Sequence, residues 1–230
     1  MPKITKIISE KNFVFLTALL ANRVDLAAAA EEGGSDAIIV SAGASDFGAN
    51  RFGDFELEEE GIRSVASTVS VPVGLYLGDT IHIEAEEWER VVEAGIDFLI
   101  MFAHQMPLLA LADTRVSKLA AIGAGYVIEQ VRALSKDPNI DALVAAITPS
   151  QAVAQNMSAL DLGTLRLLVS LSEKPVLDLV QKIFEPKFLP ILRQTGCRGV
   201  ILNSLSLGSS IESIKLVLAE YRSKIFEGVV

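Results

Sequence analysis

Gly34-Ser35-Asp36-Ala37-Ile38-Ile39-Val40 is the stretch that decides the fold. A glycine that ends a helix, an aspartate two residues on and a short apolar run together mark a helix giving way to a buried strand. The same wording returns at Gly95-Ile96-Asp97 before Phe98-Leu99-Ile100-Met101, and at Asn139-Ile140-Asp141 before Ala142-Leu143-Val144. Gly196-Cys197-Arg198 before Gly199-Val200-Ile201-Leu202 is a variant. A second punctuation, x-Pro-Val, opens strands at Val71-Pro72-Val73 and Lys174-Pro175-Val176. The order GxD, VP, GxD, then NxD, KP, GxR repeats a triplet of strands, as two half-barrels closed into one would.

Working outward, strands are expected at 13–17, 37–41, 73–77, 98–102, 119–123, 142–147, 176–180 and 200–203. Helices are expected at 23–32, 57–68, 85–94, 127–135, 160–171, 186–194 and 211–224, with a looser connection at 106–115 that holds a short helix. Strands alternating with helices imply a parallel sheet, because each right-handed crossover returns the chain to the same end. A doubly wound open sheet would use fewer strands and carry glycines after the first, where Thr17-Ala18-Leu19-Leu20-Ala21 stands instead. The expectation is a single (βα)₈ TIM barrel over residues 1–230, within the usual length of that fold.

Composition narrows the function. Half the residues are hydrophobic and the mean hydropathy is +0.42, yet no apolar run approaches the ~20 residues of a membrane span. Strands buried on both faces account for the excess. The net charge of −9 and pI near 4.8 argue against nucleic acid or an anionic membrane as partner. One cysteine, Cys197, excludes an intrachain disulfide and fits a reducing cytoplasm; it reads as a small buried apolar residue. Lys3, Lys6, Glu10 and Lys11 surround too short an apolar stretch for a signal peptide.

Barrel enzymes place their chemistry at the C-terminal ends of the strands. Asp79, in Gly78-Asp79-Thr80 after the third strand, suits a general base or a ligand to a hard cation such as Mg²⁺. His104 follows the fourth strand and suits acid–base work, with His82 one loop back. The long glycine-bearing loop from Ser41 through Asp46 and Arg51 to Glu56 has the length of a functional lid. Gln181 and Lys182 follow the seventh strand, and Asn203, Ser204 and Ser206 follow the eighth. Small hydroxyls and backbone N–H groups at that helix start favour an anion, and Lys182 would add a positive charge or form a Schiff base.

Two resemblances follow from these residues. Lys174-Pro175-Val176, Phe184-Glu185-Pro186 and Leu192-Arg193-Gln194-Thr195-Gly196-Cys197-Arg198-Gly199-Val200-Ile201-Leu202-Asn203-Ser204 resemble the last quarter of the phosphate-binding (βα)₈ superfamily. Gln181-Lys182 stands where that group has Gly-Gly, and Asn203-Ser204 replaces Gly-Ser. More faintly, Asp36 to Gly43, Val71-Pro72-Val73 and Asp79-Thr80 resemble the phosphoenolpyruvate mutase/isocitrate lyase superfamily, with Leu77 in place of the first of its two aspartates.

The expected function is a cytoplasmic, homo-oligomeric enzyme acting on a small phosphorylated or carboxylated metabolite. Its chemistry would be lyase, aldolase or isomerase-like, next to a carbonyl. Asp79, His104 and Lys182 would be catalytic, Asp79 would hold any Mg²⁺, and Ser41, Asp46, Arg51, Gln181, Asn203, Ser204 and Ser206 would contact the substrate. The rival expectation is a non-catalytic barrel, a metabolite sensor or assembly subunit.

Overall fold

In the computed structural model, which describes residues 3–44, 51–78 and 83–226, eight parallel strands close into a barrel in chain order. They are β1 Val14–Ala18, β2 Ala37–Ala42, β3 Val73–Leu77, β4 Phe98–Phe102, β5 Ser117–Gly123, β6 Ala142–Ala146, β7 Val176–Leu179 and β8 Gly199–Leu202. Closure runs from β8 back to β1, with Val14 opposite Gly199 and Leu16 opposite Ile201. The helices are α1 Lys3–Glu10, α2 Val24–Glu32, α3 Phe55–Thr68, α4 Ala85–Glu93, α5 Leu108–Ala112, α6 Ile128–Lys136, α7 Ala159–Leu171, α8 Leu189–Arg193, α9 Ser204–Leu207 and α10 Ile211–Ser223. Among the described residues no helix is long and apolar enough to cross a membrane.

Alternation along each strand divides the apolar residues into two cores. Leu16, Ile39, Phe98, Ile100, Leu119, Val144, Leu177 and Ile201 fill the barrel, while Phe15, Ile38, Leu75, Leu99, Ala120, Leu143 and Val200 pack beneath the helices. Gly74 has no side chain because the Phe98 ring lies there; a Cβ would stand 2.1 Å from Phe98 Cε2. The short helix α1 was not expected from the sequence. Its Ile4 and Ile8, one turn apart, are buried in the same cluster as the barrel interior and close its lower end.

The repeated punctuation has a structural cause. Gly34, Gly95 and Gly196 leave their helices at φ values of 97°, 86° and 87°, a left-handed exit that costs glycine nothing. Two residues later the backbone N–H of Asp36, Asp97, Asp141 or Arg198 donates to the preceding odd strand, at Phe15 O, Val73 O, Lys118 O and Val176 O. Each aspartate then accepts the return bond from that same residue's N–H, at 2.8 Å from Phe15, 3.3 Å from Val73 and 2.8 Å from Lys118. The carboxylate therefore pins the start of an odd strand to the start of the even one. Arg198 cannot accept; its guanidinium instead donates to Ile8 O and Lys11 O at 3.0 Å, tying β8 to the end of α1. Asn139 stands where a glycine would because its turn is not left-handed: its N–H donates to Asp137 Oδ1 at 2.8 Å.

Candidate functional site

At the C-terminal end of the barrel the inward-facing residues form an apolar floor. Ala18, Ile39, Tyr76, Ile100, Phe102, Ala121, Val144, Ala146, Leu179 and Ile201 line a cavity of about 10 Å³, room for one water at most. An acid–base pair stands at its rim. His104, two residues beyond β4, is exposed, and its Nδ1 lies 2.9 Å from the hydroxyl of Tyr126, which follows Ala124-Gly125 in the connection after β5. The same hydroxyl accepts the His104 backbone N–H at 3.0 Å. Either ring tautomer satisfies the contact: Nδ1 accepts the phenol proton, or Nδ1–H donates to the phenol oxygen. Burial holds the Tyr126 phenol above its usual range, against the opposing effect of the His104 N–H, which keeps the hydroxyl a donor. The rings of Phe102 and His104 lie 5.7 Å apart and those of His104 and Tyr126 6.1 Å apart, so the pair is packed onto the edge of the floor.

The other expected site residues separate into three groups. Asp79, with His82, lies outside the described residues, as does Asp46. Arg51 is exposed on the connection that leaves β2, and Ser41 is buried on the inward row of β2 with Ala37 and Ile39. Asn22 clamps the Ser41 backbone, accepting its N–H at 3.0 Å and donating to its carbonyl at 2.8 Å.

The third group makes contacts within the scaffold. Gln181 Oε1 accepts the Thr148 N–H at 3.1 Å, joining the connections after β6 and β7. Asn203, 1% exposed, donates to Val180 O and accepts the Leu205 N–H, both at 3.0 Å, so it links β8 to β7 and caps α9. Ser204 opens α9 partly buried, and the hydroxyl of Ser206 is enclosed beside Tyr221 rather than reaching the mouth. Lys182 lies on the row that faces the helices, and its Nζ pairs with Asp161 of α7 at 2.8 Å. The Lys182 ammonium is thus paired with a carboxylate of the scaffold.

Sequence reasoning missed Asp178. The signal was present: a lone carboxylate inside Val176-Leu177-Asp178-Leu179-Val180. Leu177 and Leu179 face into the barrel, so Asp178 faces the helices, where it is buried. Burial, and secondarily the charge of Asp161, pushes its carboxyl up to about 7. Burial acts in the same upward direction on Asp161, but hydrogen bonds from Lys182 and Ser158 outweigh it and hold that carboxyl below its usual range. Cys197 is buried as expected, its thiol pushed up to about 12 by burial first and by Asp178 second. Among the described residues no group of three or more His, Cys, Asp or Glu side chains is placed to hold a metal.

Eight parallel strands closed in chain order, with helices between them, define a (βα)₈ barrel. No family model matches the chain, and no curated protein matches its sequence. Solved structures do. Tryptophan synthase from M. tuberculosis superposes with a TM-score of 0.70 at 14% identity, covering 98% of this chain and 98% of that one. Phosphoribosyl anthranilate isomerase from Thermus thermophilus gives 0.65 at 17% identity, over 90% and 98%. Thiamine phosphate pyrophosphorylase from Pyrococcus furiosus gives 0.64 at 15% identity, over 92% and 95%. At such identities the likeness is one of fold. The resemblance to the phosphoenolpyruvate mutase group finds no support here, and Leu77 packs beneath the helices.

Proposed function

We propose that the protein binds a small metabolite with an apolar body and an anionic group at the barrel mouth, and moves a proton next to a carbonyl there. The observation that carries this reading is the His104–Tyr126 pair, a proton donor and acceptor at 2.9 Å standing over an otherwise apolar floor. An apolar floor favours a flat or aliphatic ligand body and excludes water from it. Nε2 of His104 is the ring nitrogen left to face a ligand, and the contact of Tyr126 with Nδ1 fixes the orientation of the ring. The anionic group falls to Arg51 and to the loops that carry Asp46 and Asp79, since Lys182 is committed to Asp161. The exposed apolar side chains of Leu160, Leu167, Phe188 and Ile191 support a homo-oligomer.

A second reading, a barrel that binds but does not catalyse, is favoured by a different observation: Gln181, Lys182 and Asn203 are all spent on the scaffold. Thermal-shift screening against sugar phosphates, phosphoenolpyruvate and 2-oxoacids, with and without Mg²⁺, followed by His104→Ala, separates the two. Stabilisation by one class, with turnover abolished in His104→Ala, supports the enzyme. Stabilisation without turnover supports the binder, and no stabilisation by any compound contradicts both.

A further inference from the structure

The seam between β7 and α7 holds a largely buried charge cluster that the proposed function does not use. Asp178 Oδ2 is enclosed and accepts no hydrogen bond among the described residues. It borders a cavity of about 20 Å³ that Thr148, Asp161, Gln181 and Lys182 also line. Beside it, the connections after β6 and β7 are laced by three backbone bonds: Ala154 N–H to Gln181 O at 2.9 Å, Ile183 N–H to Gln155 O at 2.8 Å, and Met157 N–H to Ile183 O at 3.2 Å. Lys182 sits in the middle of that ladder, and its bond to Asp161 fastens the ladder to the first turn of α7. Ala154 is held at a φ of 61°, a left-handed conformation that a non-glycine residue adopts only when its surroundings compel it.

We infer that this seam is a proton-operated clasp, closed while Asp178 carries its proton and loosened when Asp178 ionises. The groups that face Asp178 make the argument. β6 and β8 present Ala145 and Val200 in register, neither of them polar. α7 presents Asp161 and Leu165, the connection after β7 presents Gln181 and Lys182, and the turn before β8 presents the Cys197 thiol. Among the described residues of this cluster, Lys182 is thus the single cation for two carboxylates. With Asp178 neutral, Lys182 and Asp161 form a balanced pair. Loss of the Asp178 proton leaves a buried carboxylate that repels Asp161, so the bond fastening the ladder weakens. The clasp sets the mobility of the loops after β6 and β7 as pH changes, whichever ligand the mouth takes.

The test is amide hydrogen exchange of Ala154, Met157 and Ile183 between pH 5.5 and 8.5, corrected for intrinsic exchange, together with ¹³C titration of the Asp178 carboxyl. The wild type should lose at least tenfold in protection at all three amides, with the same midpoint as the carboxyl, and Asp178→Asn should show no such step. Equal pH profiles in the two proteins, or a carboxyl that titrates in the ordinary aspartate range, would overturn the inference. Should Asp178→Asn fail to fold, the wild-type comparison decides alone: coincident midpoints support the clasp and separate ones refute it.

Discussion

Lys182 Nζ lies 2.8 Å from Asp161 Oδ2, on the helix side of β7, with only about a tenth of the lysine side chain exposed. This geometry ties Lys182 to the scaffold. Lys182→Met should therefore cost stability, on the order of 1–3 kcal/mol for a part-buried carboxylate left without its donor, while ligand affinity at the mouth stays within about threefold. Urea unfolding and calorimetry on the same variant check both halves. A large affinity loss with unchanged stability would return Lys182 to the role of anion holder.

Asp178 gives the protein a pH dependence of definite sign. Its carboxyl holds a proton up to about 7 in the folded state, against the ordinary aspartate value of 3.8 when unfolded. Between those values the folded state binds more protons, so stability is greatest below the lower one and falls as pH rises to about 7. Three units at about 1.4 kcal/mol each set a ceiling of roughly 4 kcal/mol. Denaturant midpoints measured from pH 5 to 8 should decline in the wild type and decline markedly less in Asp178→Asn.

The pinning aspartates should behave as structural residues. Asp141→Ala removes the acceptor for the Lys118 N–H at the lower end of the barrel, and charged hydrogen bonds of this kind are worth about 1.5–3 kcal/mol. Equilibrium unfolding should show a loss of that size, with no change in any ligand's affinity.

The lower closure by α1 is tested by Ile8→Ala. Ile8 is 3% exposed in the interior cluster, and truncations of this type cost about 2–5 kcal/mol. A cost below about 1 kcal/mol, measured by unfolding, would mean that α1 is loosely attached.

The strands were legible because burial on both faces writes them as short apolar runs, and because the helix exits and pinning aspartates recur at fixed spacing. β5 began earlier than expected, at Ser117, because the Ser117 N–H pairs with Asp97 O, a bond that no residue type announces. α1 escaped notice because its two buried isoleucines contact the barrel interior rather than one another's neighbours in sequence. The address of the mouth was also legible, but the direction of each side chain there was not. Lys182 and Asn203 occupy positions where a ligand contact was reasonable, and the bend beyond β7 brings Lys182 to Asp161 of α7. Asp178 was overlooked for the converse reason: a lone carboxylate inside an apolar run looks like an interruption of the strand rather than a buried group.

The chain has two histidines, so the imidazole signal of His104 can be assigned with a single His82 variant. The direct test of the mouth is to follow that signal by ¹H–¹³C NMR while titrating the sugar phosphate or 2-oxoacid that most stabilises the protein. If His104 stands over the bound molecule, its resonance shifts and saturates with the dissociation constant found by calorimetry. A His104 signal that stays in place at saturating ligand would contradict the assignment of the site.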